Sequence, residues 1–201
     1  MSTMRIFAVA TVATVLAVTT VAAQQTQRLR GTIEKVDGNT LLIKTRDGAP
    51  ATLTLADNAV VVGVTKASVA DIKEGSYIGS GAMPQPDGTQ KALEVHIFAE
   101  SQRGTGDGHR PWDGAPNSTM TNGAVGQTVT GVEGPVITIK YKDGEKKIIV
   151  TSEVPIVRYE IGDKGELKPG APISVAAAKK NPDGTFGAAR INVGRDGAVP
   201  M

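Results

Sequence analysis

Residues 28–48 read RLRGTIEKVDGNTLLIKTRDG, two short runs of alternating character separated by Asp37-Gly38-Asn39 and closed by Asp47-Gly48. Leu29, Ile33 and Val36 are spread among polar neighbours, and Leu41 and Ile43 fall on one face of residues 40–45. Alternation at period two, punctuated by Asp-Gly and Gly-Asn, is the pattern of a β-hairpin. Adding 96 to the residue number finds the same text again. Thr32, Val36, Gly38, Ile43, Lys44, Asp47 and Gly48 meet Thr128, Val132, Gly134, Ile139, Lys140, Asp143 and Gly144, each identical.

The correspondence continues outward from the hairpin. Asp71-Ile72-Lys73-Glu74-Gly75 pairs with Glu166-Leu167-Lys168-Pro169-Gly170 after one deletion, and Pro86-Asp87-Gly88-Thr89 returns as Pro182-Asp183-Gly184-Thr185. Leu93, Val95 and Ile97 meet Ala189, Ile191 and Val193. The chain therefore holds two copies of one unit.

Within a copy, a third strand over residues 51–55 follows the hairpin, with Ala51, Leu53 and Leu55 on one side. Residues 59–64, AVVVGV, are β-branched and extended, and Ser68 caps a single helical turn that Gly75 stops. A strand over 77–83 is loosened by Gly79 and Gly81, residues 84–88 turn, and 92–98 form the last strand. There Leu93, Val95 and Ile97 share one face and Glu94 and His96 the other, an exposed face on which His96 is expected to be solvated.

Three strands, a helical turn and two strands in about 70 residues is the order of a partly open OB-like barrel. The expected architecture is all-β: two tandem small OB-like β-barrel modules over 28–100 and 124–196, with small β-sandwiches as the alternative. A long Gly/Pro-rich connector, 101–123, joins them. It reads SQRGTGDGHRPWDGAPNSTMTNG, holds the sole Trp of the chain and shows neither helical nor strand periodicity. Modules this small with few aromatic residues are marginal alone, so docking of one on the other is expected.

Residues 1–23 carry Arg5, an uncharged apolar run over 6–21 and then Ala22-Ala23, the pattern of a secretory signal peptide. The run is shorter than the roughly 18 to 20 residues that span a bilayer. The expected location is periplasmic or secreted, with no transmembrane span after cleavage. Loss of Arg5 takes the formal charge from +2 to +1, so a generic polyanion partner is not implied. With no Cys, disulfides and thiolate metal sites are excluded.

The pattern G-T-(I/V)-x-x-V-D/E-G, a strand, D-G, a strand, D-(I/L)-K-x-G and P-D-G-T resembles a widespread family of exported bacterial domains of unknown function. The resemblance covers both copies and implies an OB-like fold and an exported location. That family brings no established catalytic residue.

Several chemistries can be weighed on the residues. Gly104, Gly106 and Gly108 lack the third glycine of a dinucleotide fingerprint, and Pro111 blocks the helix that should follow. A Ser-His-Asp arrangement would have to use His96 or His109 with Ser80, Ser101 or Ser118 and a nearby Asp, and no G-x-S-x-G elbow is present: Gly79-Ser80-Gly81 lacks the flanking spacing. Nucleic-acid binding is not expected of a nearly neutral chain with so few aromatics. His109, Arg110, Trp112 and Asp113 combine a rigid aromatic with charges of both signs, the composition of a recognition site. Trp112 is equally suited to packing on its own chain and tying the connector down. The expected function is that of an exported non-catalytic binding or accessory protein of the bacterial cell envelope, without a cofactor, acting on an unknown protein or small-molecule partner. The alternative is a periplasmic copper or zinc protein using His96, His109, Met83 and Met120.

Overall fold

The computed structural model describes residues 26–200, so the signal-peptide reading of 1–23 lies outside the described residues. Among the described residues twelve strands carry the fold, with three single-turn 3-10 helices at Val69–Asp71, Glu100–Gln102 and Lys164–Glu166. The first five strands are β1 (Thr26–Asp37), β2 (Thr40–Thr45), β3 (Pro50–Ala67), β4 (Tyr77–Pro84) and β5 (Gln90–Ile97). They are followed by β6 (Gly108–Pro111), β7 (Thr119–Gly131), β8 (Gly134–Tyr141) and β9 (Gly144–Ile149). The last are β10 (Ile156–Ile161), β11 (Pro172–Lys180) and β12 (Phe186–Gly194).

The period-two reading of the hairpins holds. Leu41 and Ile43 are fully buried while Leu42 between them is exposed, and on β8 Ile137 and Ile139 are fully buried with the half-buried Thr138 between them. The paired turns also match: the amides of Thr89 and Thr185 each donate to Oδ1 of the Asp two residues before, at 2.9 Å. Gly88 and Gly184 both stand at φ 85°, a conformation that any side chain would strain.

The strand pairing departs from two self-contained modules. One closed five-stranded barrel runs β1-β2-β3-β12-β11 and back to β1, with β3 and β12 parallel. It takes three strands from the first copy and two from the second. The reciprocal strands form a second ring, β7-β8-β9-β5-β4, shut by a short parallel contact of Gln90 and Lys91 with Ile148 and Ile149. The two copies carry similar strands, so the last two strands of either can complete a ring begun by the other. β10 then bridges the rings, antiparallel to β3 and parallel to β5.

Three further expectations are corrected. The segments 51–55 and 59–64 are not separate strands but parts of the unbroken β3. In the second copy the same stretch is divided into β9 and β10, because Pro155 stands where the first copy has Ala59 and cannot donate to a ladder. Leu93 does not share the core face with Val95 and Ile97. A bulge between Gly81 and Ala82 in the β4–β5 register turns Ala92 inward and leaves Leu93 exposed. The connector is not wholly irregular either: β6 lies within it and pairs with the first residues of β7.

Each ring encloses its own apolar core, one centred on Leu41, Ile43, Leu53 and Ile173, the other on Ile78, Val95, Ile137 and Ile148. A third cluster, including Val62, Val64, Tyr77, Phe98 and Tyr159, fills the seam between them. Beside that seam lies the site.

Candidate functional site

A cavity of about 420 Å³ opens at the seam, and its wall is assembled from both copies and the connector. β5 supplies Glu94 and His96, β12 supplies Arg190 and Asn192, β1 supplies Arg28, and β10 supplies Tyr159. Met120 and Asn122 reach it from β7, and the connector closes one side with Arg110, Trp112 and Asp113. Glu94 and Arg190 are equivalent positions of the two copies, as are His96 and Asn192. The strand exchange brings both pairs to one space.

Glu94 and His96 are buried, not solvated as the alternation implied, because β5 lies between β4 and β10 with the seam cluster beside it. His96 stacks on Tyr159 with centroids 5.0 Å apart and meets Phe98 edge-on at 4.8 Å. Its Nδ1 is 3.7 Å from Glu94 Oε1. The ring is seated over Gly79, where an added Cβ would fall 2.0 Å from His96 Nε2 and 2.6 Å from Asn122 Oδ1. Burial, followed by the charge of Glu94, pushes the Tyr159 hydroxyl well above the usual phenol range, so it stays protonated and can donate.

The connector is fixed by its own hydrogen bonds. The Trp112 amide donates to Ser118 O at 2.9 Å, and the Ser118 hydroxyl donates to the Trp112 carbonyl at 3.2 Å. The six-membered part of the indole packs on Gly81 and Gly114, where a Cβ would come within 2.5 Å and 2.1 Å of ring carbons. Further back, Asp107 accepts from Tyr77 Oη at 3.2 Å and from the Lys142 amide at 2.8 Å. Burial, then the charge and hydrogen bond of Asp107, push Tyr77 up to about 12. Asp113 pairs with Arg28 at 3.1 Å, which ties the connector to β1.

Polar atoms without a hydrogen-bond partner in the protein gather on this wall. They are Glu94 Oε2, Asn122 Oδ1, Asn192 Oδ1, Arg28 Nε and Trp112 Nε1. The two amides are oriented by their nitrogens: Asn122 Nδ2 donates to Thr105 O at 2.9 Å and Asn192 Nδ2 to Ser174 Oγ at 3.2 Å. Arg190 forms no ion pair with any described residue, and burial lowers its pKa. Arg30, beside the cavity, is lowered by burial and by Arg28 and Arg46.

Of the residues singled out from sequence, Arg110, Trp112, Asp113, His96 and Met120 line the cavity. His109 does not. Alternation along β6 places Arg110 on the cavity side and sends His109 to the opposite face, where Nδ1 lies 2.8 Å from Thr121 Oγ1 and the ring stacks near Tyr141. Burial, then Lys146, lowers its pKa. Met83 lies on β4 outside the cavity wall. Among the described residues no group of three or more His, Cys, Asp or Glu is placed to hold a metal. Arg28, Tyr159, Asn122, Arg190 and Asn192 were missed; only the equivalence of Glu94 with Arg190 and of His96 with Asn192 could have pointed to two of them.

No protein-family model, curated protein or solved structure matches this chain.

Proposed function

We propose that this protein is an exported, non-catalytic binding protein of the bacterial cell envelope, holding a small polar molecule between two OB-like barrels that have exchanged strands. The observation that carries the reading is the gathering of unpartnered buried polar atoms on one cavity wall. Each such atom costs stability, and a cavity that concentrates them beside apolar side chains has the make-up of a ligand site. The ring order, with strands one to three of a copy joined to strands five and four of the other, supports the OB-like assignment. The export pattern in residues 1–23 and the resemblance to exported domains support the location.

A non-catalytic role is supported by the histidines. His109 is hydrogen-bonded to the fully buried Thr121, which no substrate can reach. His96 has a carboxylate beside it but a stacked phenol rather than a nucleophile on its face. A second reading, a copper or zinc site, has in its favour that His96 and Met120 share the cavity. Three guanidinium groups on the same wall oppose a bare cation.

Thermal unfolding of the signal-free chain against a metabolite panel tests the binding reading. A ligand at about a hundred times its Kd adds about 2.7 kcal/mol of stability. The paired variant Arg190→Gln with Asn192→Ala should abolish that shift; a shift that survives in it rejects the cavity as the site.

A further inference from the structure

We infer that the ligand is a small zwitterion, a free α-amino acid with an apolar side chain, whose ammonium group meets Glu94, Asn122 and Asn192 and whose carboxylate meets Arg28, Arg190 and the Trp112 N–H. This rests on the reading of the cavity as a binding site.

The two sets of polar groups differ in kind, one offering acceptors and the other donors. Glu94, Asn122 and Asn192 are buried, and each presents an oxygen that accepts no hydrogen bond from the protein. An ammonium group carries three donors for these three acceptors. It also brings a positive charge to the Glu94 carboxylate, whose one ion-pair contact among the described residues is with His96 at 3.7 Å. A hydroxyl has a single donor and would leave two of the three acceptors unmatched.

Arg28 and Arg190 are half-buried, and Trp112 presents an indole N–H that nothing in the protein accepts. A planar carboxylate fits two guanidinium groups and an N–H as no neutral group does. Asp113 holds Arg28 at 3.1 Å and leaves its Nε free, so the salt bridge positions the guanidinium without exhausting it. Phe98, Met120 and Ala176 of the same lining offer apolar surface suited to an aliphatic or aromatic side chain.

The sole tryptophan of the chain lies in the cavity wall, so its fluorescence reports occupancy directly. The signal-free chain is titrated, by fluorescence and calorimetry, with L-leucine and L-phenylalanine, with phenethylamine (ammonium only), with 3-phenylpropionate (carboxylate only), and with glucose and glucuronate. Leucine or phenylalanine should bind with a Kd below about 100 μM. The amine and the acid should each bind at least about tenfold more weakly, since each leaves one set of polar groups unmatched. Glu94→Gln and Arg190→Gln should each weaken the amino acid by about tenfold or more, with circular dichroism unchanged.

Equal binding of 3-phenylpropionate and phenylalanine overturns the ammonium half of the proposal, and equal binding of phenethylamine overturns the carboxylate half. If glucuronate or glucose binds and the amino acids do not, the zwitterion is wrong and the binding cavity stands. If no probe binds at about 5 mM, both fall.

Discussion

The imidazole of His96 lies flat on the phenol of Tyr159, 5.0 Å between centroids and 1° between planes. His96 belongs to the first copy of the repeat and Tyr159 to the second, and parallel pairing of β5 with β10 brings them together. The position equivalent to Tyr159 in the first copy is Gly63, so this stack has no counterpart.

Gly79 makes room for that arrangement. Gly79→Ala forces a Cβ to within 2.0 Å of His96 Nε2 on a buried strand, and overpacking of this kind costs about 1–3 kcal/mol. Urea denaturation should show that loss and weaker ligand binding. Gly187→Ala, whose Cβ meets nothing within 4 Å, is the control and should change stability by less than about 0.5 kcal/mol.

Trp112 separates packing from recognition. Removing the ring from Gly81 and Gly114 in Trp112→Ala should cost about 2 kcal/mol and make residues 101–123 more readily cut by protease. Trp112→Phe keeps the apolar contact and gives up an N–H that bonds to nothing in the protein, so its unfolding midpoint should stay near that of the parent. A large loss in the Phe variant would show that the N–H is satisfied internally.

A cut in the connector tests the strand exchange. A protease site placed at Gly104 breaks the chain between β5 and β6, in an exposed turn. Each fragment contributes strands to both rings, so the two halves should remain together through gel filtration and dissociate only in denaturant. Two separate compact fragments would mean that each copy closes on itself.

Arg195 ties the end of β12 to Glu160 and Glu166, at 2.8 Å each. The hydrogen bond from Arg195 holds Glu166 below its ordinary pKa of 4.5. A depressed carboxylate stabilises the fold above its unfolded pKa, and the contribution is lost as pH falls through the lower folded value. Stability of the parent should therefore drop as pH falls below about 4.5, and Glu166→Gln should flatten that part of the profile. An unchanged acid limb in the variant would assign the loss to other carboxylates.

Copper and zinc can be tested on the same protein. With His109 turned to the far side of β6 and Met83 off the cavity, titration with Cu(I), Cu(II) and Zn(II) should show no Kd tighter than about 10 μM. Tighter binding that is lost in His96→Ala would promote the metal reading.

Residue order alone determined the all-β class, the hairpin faces built on Leu41, Ile43, Ile137 and Ile139, the Asp-Gly turns and the duplication. These are local matters: period two, positive φ at glycine and side chains that bond their own backbone are written within a few residues. Arg110, Trp112 and Asp113, which line the cavity, stood out in the sequence because their composition is unusual for a connector. Tertiary structure alone decided which copy's last strands complete which ring. Two similar copies offer almost the same hydrogen bonds and apolar contacts to strands four and five of either, so no local pattern separates exchange from self-closure. The cavity follows from that choice: Glu94 with His96, Arg190 with Asn192, and Arg28 lie far apart in the chain, and only the exchanged pairing sets them around one space.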